Sequence, residues 1–188
     1  MVQFTTQKSK QLYRGKRVNL FCDEVQIDGK NFVREVVRLR PAAAALPIVR
    51  STDGSEKIIM VRQFRYPVRL EMLEIPAGVI EEGETPETCI KRELKEEIGY
   101  SAKTLKHLAT IHPSPGVLDE VLHIFVAKGL LKTIAKQDAD ENITSVVEIP
   151  LTDGLQMIKN NTITDAKTII AILLYAQSRA PNKKASYK

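Results

Sequence analysis

Aromatic residues are scarce in this sequence of 188 residues: tryptophan is absent, and Phe, Trp and Tyr together make up 5%. Proteins that bind single-stranded nucleic acids stack the bases on aromatic side chains along a basic face. The net charge is +5, but part of the excess lies at the two ends, in Lys8, Lys10, Arg14, Lys16, Arg17, Lys183, Lys184 and Lys188. The sequence therefore disfavours a nucleic-acid partner and predicts flexible, solvated ends.

Cysteine is also rare, and long apolar runs are missing. The two cysteines, Cys22 and Cys89, are too few for a disulfide framework. No apolar run approaches the roughly 20 residues that cross a membrane, and the polar N-terminal stretch lacks the apolar segment of a signal peptide. With 43% hydrophobic and 27% charged residues, the chain is expected to be a single cytoplasmic globular domain without membrane association.

The stretch from Gly78 to Tyr100 carries the strongest local signals. Thr85 is a candidate N-cap, Pro86 suits the first helical position, and Gly99 suits the left-handed residue just past a helix end. This spacing predicts a helix of about four turns.

Two glutamates of this helix do not lie on its solvent-exposed face. The apolar stripe consists of Cys89, Ile90, Leu94 and Ile98. At about 100° per residue, Glu93 and Glu97 fall inside that stripe, while the lysines at 91 and 95 mark the solvent side. Carboxylates that border a core are costly unless paired or metal-bound, and like charges four residues apart repel. A hard divalent cation with oxygen ligands, Mg²⁺ or Mn²⁺, resolves both problems.

The same stretch resembles the Nudix box, G-x5-E-x7-R-E-U-x-E-E-x-G-U, and departs only at Tyr100, where an aliphatic residue is usual. Its fixed positions are occupied by Gly78, Glu84, Arg92, Glu93, Glu96, Glu97 and Gly99. The resemblance implies that Glu93 and Glu97 bind the metal, with Glu96 assisting, and that Glu96 and Glu97 serve catalysis. It also implies that the Ala77 carbonyl is a further ligand and that Arg92 orients Glu84. Gly78 and Gly99 are structural.

Two flanking stretches resemble the ADP-ribose pyrophosphatases of this family. Residues 111–120, IHPSPGVLDE, resemble the S-P-G-x-x-D/S-E segment after the box. This likeness makes Pro115, Gly116 and Glu120 candidates for substrate binding, with a plain turn between strands as the alternative.

The second stretch, VRQFRYPVRLEMLEIPAG at residues 61–78, resembles the approach to the box in the same subfamily. Arg65 is our candidate for a phosphate contact, because guanidinium groups bind phosphate oxygens in bidentate fashion. Glu74 is a candidate for the metal or ribose environment. For Arg62 and Arg65, solvated or cross-strand paired roles are the alternative.

Two further candidates come from the resemblance alone. ADP-ribose pyrophosphatases place a glutamate in the loop before the last strand, where it acts as general base or orients the attacking water. Glu141 is the best match, with Asp140 as an alternative. The competing interpretation is an acidic surface loop without a catalytic role. Arg34 occupies a place where these enzymes contact the adenosine end of the substrate.

Strand patterns cover residues 17–25, 30–38, 46–49, 57–66, 103–113, 120–130 and 145–149, and helical patterns cover 152–159 and 165–179. The resemblance implies an α/β Nudix fold, an α/β/α sandwich with a mixed sheet, over residues 41–179, with a flexible tail at 180–188. Residues 1–40 are expected to add an antiparallel hairpin, turning at Asp28-Gly29, that embraces a second subunit in a homodimer.

The expected function is Mg²⁺-dependent hydrolysis of ADP-ribose to AMP and ribose 5-phosphate, as the resemblance implies. One alternative is a pyrophosphatase for another nucleoside-diphosphate sugar. A second is a non-catalytic Nudix-fold sensor of ADP-ribose, which the complete set of box carboxylates disfavours.

Overall fold

The structure, a computed structural model, describes residues 3–133 and 143–179. The described residues form two compact units, one containing residues 3–42 and 110–122 and the other containing 43–109, 123–133 and 143–179. The elements in chain order are β1 (Phe4–Arg14), β2 (Asn19–Ile27), β3 (Lys30–Arg38), β4 (Ala42–Arg50), β5 (Glu56–Arg65), β6 (Leu70–Glu74), β7 (Ala77–Val79), α1 (Pro86–Ile98), β8 (Tyr100–Ile111), β9 (Leu122–Lys132), β10 (Ile143–Pro150), α2 (Leu151–Lys159) and α3 (Ala166–Arg179).

The first unit is built on an antiparallel sheet in the order β1-β2-β3. The expected hairpin is its β2–β3 part, where Ile27 pairs with Lys30 and the turn residues Asp28 and Gly29 have φ of 46° and 80°. Two positive φ values are what a type I′ hairpin turn requires. The antiparallel N-terminal element is therefore confirmed.

Strand β1 was not predicted, and the expectation of a flexible N-terminal end was wrong for Lys8, Lys10 and Arg14, which lie within it. Every residue of β1 is exposed. A strand without a buried face leaves no alternation of apolar and polar residues, so the usual signal of a strand is missing from its sequence.

The second unit is built on a mixed sheet in the order β10-β5-β4-β9-β8, with β6 paired to β5 and β7 paired to β4. Strand β4 is buried from Ala42 to Ile48. Such continuous burial is typical of a central strand that is covered on both faces.

One face of this sheet packs against α1. Its buried residues are Ala43, Ala45, Ile59, Val61, Phe125 and Ala127, which form one cluster with Cys89, Ile90, Leu94 and Ile98 of the helix. The alternate residues, such as Leu46, Ile58 and Met60, are fully buried on the opposite face.

Helices α2 and α3 cover that opposite face. A Cβ at Gly154 of α2 would lie 3.0 Å from Ile58 and 3.5 Å from Ile172 of α3. The sheet of the second unit is therefore enclosed by helices on both sides, as the sequence predicted. No helix in the part of the chain that the structure describes has the length and apolar character needed to cross a membrane.

Candidate active site

Helix α1 begins and ends where the sequence predicted. The Thr85 side chain accepts a hydrogen bond from the Thr88 backbone N–H at 3.2 Å, and the Thr88 hydroxyl accepts one from the Thr85 N–H at 2.8 Å. At the other end, Gly99 has a left-handed φ of 70°. These caps satisfy backbone groups at both ends and fix which side chains of the helix face the sheet.

The two carboxylates inside the apolar stripe are buried, as predicted: Glu93 is 4% exposed and Glu97 is 3% exposed. Their helix neighbours Ile90 and Leu94 are fully buried. An ionised carboxylate in such surroundings is strongly unfavourable without hydrogen bonds or an opposite charge. The burial of these two acids therefore indicates a site built to hold positive charge.

The residues just before the box lie against these carboxylates. A Cβ at Gly78 would be 1.7 Å from Oε1 of Glu93, so the backbone approaches the carboxylate at a distance that only glycine permits. The Ala77 N–H donates a hydrogen bond of 3.2 Å to Oε2 of Glu97. Strand β7 thus forms one wall of the site.

Arg92 connects three carboxylates of the box. Its Nε and Nη2 lie 2.9 and 3.1 Å from the two oxygens of Glu84, and its Nη1 lies 2.6 Å from Glu93 and 2.9 Å from Glu96. Hydrogen bonding to Glu84 raises the pKa of Arg92, and the same contact lowers the pKa of Glu84. The arginine is therefore always charged and ties the loop before α1 to the helix.

Cys89 lies behind the carboxylates, fully buried on the same helix. Burial raises the pKa of its thiol to about 12. The thiol is therefore neutral at ordinary pH, as expected of a small core residue.

The donor set fits a hard divalent cation. Glu93, Glu96, Glu97 and the Ala77 carbonyl offer only oxygen ligands, which Mg²⁺ prefers. Within residues 3–133 and 143–179, no group of three or more His, Cys, Asp or Glu side chains is already arranged around a common metal position. Because each carboxylate has two oxygens, Glu93 and Glu96 can contact Arg92 and a cation together.

A second ionic cluster lies where β5 meets β6. Arg65 donates to both oxygens of Glu74, from Nε and Nη2 at 2.7 Å each. Lys167 of α3 also binds Glu74, and its Nζ lies 3.0 Å from Asp165. Arg65 therefore has the cross-strand partner that the sequence left open as an alternative, and the phosphate contact stays a prediction.

Glu74 is ionised by these partners although it is only 1% exposed. Burial by itself would raise its pKa, but the hydrogen bonds from Arg65 and the charge of Lys167 outweigh burial and bring the pKa down to about 2. Glu74 is thus negatively charged at neutral pH and lies between two cations.

Sequence reasoning missed Lys167. Its partner Glu74 is 93 residues away along the chain, and no local pattern links the two. The only local signal was the Asp165-Ala-Lys-Thr168 start of the last helix, where Thr168 N–H donates to Asp165 at 3.0 Å as in an N-cap.

Four candidates for substrate binding lie in the first unit: Arg34, Pro115, Gly116 and Glu120. The Ser114 carbonyl accepts hydrogen bonds from the N–H groups of Val117 and Leu118, at 3.1 and 2.9 Å, which closes the predicted turn. The Val37 N–H donates to the Val117 carbonyl at 2.8 Å. The turn is therefore attached to the end of β3, the strand that carries Arg34.

The side chains of these residues are accessible. Pro115, Gly116 and Arg34 are exposed, and Glu120 is half-buried. The guanidinium of Arg34 lies 5.3 Å from the ring centroid of Phe32, and its Nη1 donates to the Val33 carbonyl at 3.0 Å. Glu141 and Asp140, the candidates for the general base, lie outside the described residues.

Comparison with known proteins identifies the family. Residues 38–171 match the model of the NUDIX domain. Because this match covers well over half of the chain, the protein belongs to the NUDIX family, as the box predicted.

Similar proteins of known name carry names that refer to different activities. The ADP-ribose pyrophosphatase of Bacillus subtilis (strain 168) is 41% identical over 165 residues, 87% of each chain. The methanol dehydrogenase activator of Bacillus methanolicus is 40% identical over 170 residues, 89% of each chain. The GDP-mannose pyrophosphatase of Yersinia enterocolitica serotype O:8 / biotype 1B is 34% identical over 153 residues, 77% of this chain and 78% of that protein.

A solved structure described as an ADP compounds hydrolase superimposes with a TM-score of 0.82. It covers 94% of both chains at 23% sequence identity. This likeness concerns the fold, and it confirms the predicted α/β Nudix architecture.

Proposed function

We propose that this protein is a divalent-metal-dependent hydrolase of ADP-ribose, which cleaves the diphosphate bond to give AMP and ribose 5-phosphate. One observation carries the proposal: Glu93 and Glu97 are buried on α1 against the Ala77-Gly78 backbone. The naming of a 41% identical relative as ADP-ribose pyrophosphatase supports the choice of substrate.

In this proposal, Glu93, Glu96, Glu97 and the Ala77 carbonyl hold Mg²⁺, with Mn²⁺ as a substitute. When bound, the cation neutralises charge on the diphosphate and lowers the pKa of a coordinated water. Arg92 holds Glu93 and Glu96 in place through hydrogen bonds of 2.6 and 2.9 Å. Removing Arg92 would therefore disturb the ligands without touching the substrate.

The remaining roles are assigned to residues outside the box. Arg65, which is partly exposed, would bind a phosphate oxygen of the substrate. Glu141 remains our candidate for the group that accepts a proton from the attacking water. Arg34, Pro115, Gly116 and Glu120 are proposed to contact the substrate outside the diphosphate.

We also propose that the protein is a cytoplasmic homodimer, in which the N-terminal sheet contacts the second subunit. The observation that supports the dimer is a set of exposed large apolar side chains on this sheet: Phe4, Leu12, Tyr13, Phe32 and Val33. Such exposed apolar side chains on one sheet offer surface that a second subunit would cover. Size-exclusion chromatography with light scattering measures the mass directly, and a monomer at micromolar concentration would refute the dimer.

The substrate is tested with a panel of ADP-ribose, ADP-glucose, GDP-mannose and NADH. Each is incubated with the protein and Mg²⁺, and product is detected as phosphate released by a coupled phosphatase. We expect the highest kcat/KM for ADP-ribose and no release when EDTA replaces Mg²⁺. Preference for GDP-mannose would instead favour the nucleoside-sugar alternative, which the 34% identical relative supports. Ligand binding without turnover would favour the sensor.

A second candidate function is activation of a methanol dehydrogenase, because a relative of that name is 40% identical over nearly the whole chain. It is tested by adding the protein to a methanol dehydrogenase and following the rate of methanol oxidation. The wild type and the Glu97→Gln variant are compared. If only the wild type stimulates methanol oxidation, the activation depends on the hydrolase site.

A further inference from the structure

We propose that Lys167 is a positioning residue for the diphosphate: it keeps Glu74 paired so that the guanidinium of Arg65 can leave Glu74 and bind the substrate. The inference rests on the proposed function, because it assigns Arg65 to the substrate. Lys167 itself lies in α3 and contacts Glu74, the carboxylate that Arg65 also binds.

The argument begins with the partners of Glu74. One carboxylate receives two hydrogen bonds from Arg65 and one from Lys167. Its side chain is 2% exposed, so water cannot replace a partner that departs. A buried carboxylate stripped of its only cation would be strongly disfavoured. With Lys167 in place, the loss of Arg65 leaves Glu74 still paired.

Arg65 is placed to make such a move. Its side chain is 38% exposed, whereas that of Lys167 is 12% exposed. Hydrogen bonding to Glu74 raises the pKa of Arg65, and the charges of Asp165 and Glu97 add to the effect. Arg65 therefore keeps its positive charge, and the exposed part of its side chain is accessible to an anion.

Lys167 is held rigidly by comparison. Its Nζ lies 3.0 Å from Asp165, and Asp165 accepts hydrogen bonds from the N–H and the hydroxyl of Thr168 at 3.0 and 2.6 Å. The Thr168 hydroxyl in turn accepts a bond of 2.9 Å from the Ile75 N–H. Two residues at the start of α3 therefore hold this segment: Lys167 binds the Glu74 side chain, and Thr168 accepts a hydrogen bond from the Ile75 backbone.

The first test separates KM from kcat for ADP-ribose hydrolysis. In Lys167→Met, Arg65 is the remaining cation on Glu74, so we expect KM to rise about tenfold or more while kcat changes less than about threefold. Lys167→Arg should restore KM. Lys91→Met, an exposed lysine on α1, is the matched control and should leave both constants unchanged.

A double-mutant comparison identifies the route of the effect. In an Arg65→Gln background no guanidinium remains to be released, so adding Lys167→Met should change KM by less than about twofold. A merely structural salt bridge predicts a different result: Lys167→Met would lower the melting temperature and kcat in both backgrounds and leave KM unchanged. That result would overturn the proposal.

A second measurement does not depend on turnover. The Arg65 Nε–H resonance, assigned by its loss in Arg65→Lys, is followed in metal-free protein during titration with inorganic diphosphate. We expect a shift in the wild type and a much smaller shift in Lys167→Met. Equal shifts in both proteins, or none in the wild type, would overturn the proposal. The expected shifts in a protein that fails to hydrolyse ADP-ribose would overturn only the proposed function.

Discussion

The carboxylate of Glu93 occupies the space that a side chain at Gly78 would need, with Oε1 only 1.7 Å from the position of a Cβ. In Gly78→Ala, either the β7 backbone or Glu93 must therefore move. Glu93 also bonds Arg92, and Ala77 directly precedes Gly78. The proposed metal ligands would therefore move as well. We expect at least about a hundredfold loss of kcat, since ligand misplacement of about 1 Å has effects of that size.

Melting temperature and hydrolysis rate, measured over a range of Mg²⁺ concentrations, check this prediction. Gly116→Ala is the matched control for stability, since a Cβ there meets nothing within 4 Å. Near-normal activity of Gly78→Ala with unchanged Mg²⁺ dependence would contradict the placement of Glu93 in the site.

Glu97→Gln tests the metal site itself. The substitution keeps the shape of the side chain and its hydrogen bond to the Ala77 N–H but removes the charge that a cation needs. We expect kcat to fall by about a thousandfold or more, with folding preserved. Addition of Mg²⁺ should raise the melting temperature of the wild type but not of the variant, because only the wild type binds the ion.

The control for Glu97→Gln is Glu87→Gln, an exposed acid in the first turn of the same helix. It removes one charge from α1 without touching the site. Equal losses of activity in the two variants would argue against a metal role for Glu97.

Arg92→Met tests how much the shared guanidinium contributes to the stability of the fold. The substitution leaves Glu84, Glu93 and Glu96 without the guanidinium that they share. Removing one partner from this partly buried ionic network should cost about 2 kcal/mol, between the values for an exposed and a fully buried ion pair, and urea denaturation at neutral pH measures the loss. Arg92→Lys keeps the charge but cannot bridge in the same way, so its loss should be intermediate.

A stability difference between Arg92→Met and the wild type of less than about 1 kcal/mol, as expected for an exposed ion pair, would contradict this account. The exposed Lys91→Met, at the position directly before Arg92, serves as the reference.

Acidification should reveal the contribution of Glu74. Its pKa is lowered from 4.5 to about 2 in the folded protein, so the ionised carboxylate stabilises the fold by about 3 kcal/mol above pH 5. That contribution is lost as pH falls from about 4.5 through about 2, because the unfolded chain takes up the proton first.

The measurement is the difference in unfolding free energy between the wild type and Glu74→Gln at pH 7, 5, 4 and 3. The difference should be constant at the two higher values and shrink at the two lower ones. A difference independent of pH over this range would show that the pKa of Glu74 is not lowered.

Helix α1 could be predicted from the sequence because its signals are local. Thr85, Pro86 and Gly99 fix its ends through contacts with residues no more than five positions away. The burial of Glu93 and Glu97 also follows locally, from the 3.6-residue period. The contact of Arg92 with Glu84 was implied by the family resemblance, whereas its contacts with Glu93 and Glu96 were not predicted.

The features that were not predicted are of two kinds: contacts between residues far apart in the sequence, and strands that lack a recognisable apolar pattern. Strand β1 has no buried face, and β7, Ala77–Val79, is too short to show an alternating pattern. The partners of Arg65 and Glu74 come from different elements, and Lys167 is 93 positions from Glu74. No periodicity within one segment encodes such a pairing.

The bond between the Thr168 hydroxyl and the Ile75 N–H joins residues 93 positions apart. During synthesis, the segment that enters the box is made long before the helix that holds it. A nascent chain can complete α1 while the ribosome still has to translate Asp165, Lys167 and Thr168. The segment that enters the box therefore gains this contact only after residue 168 has been translated, and the proposed metal site is completed later than α1 itself.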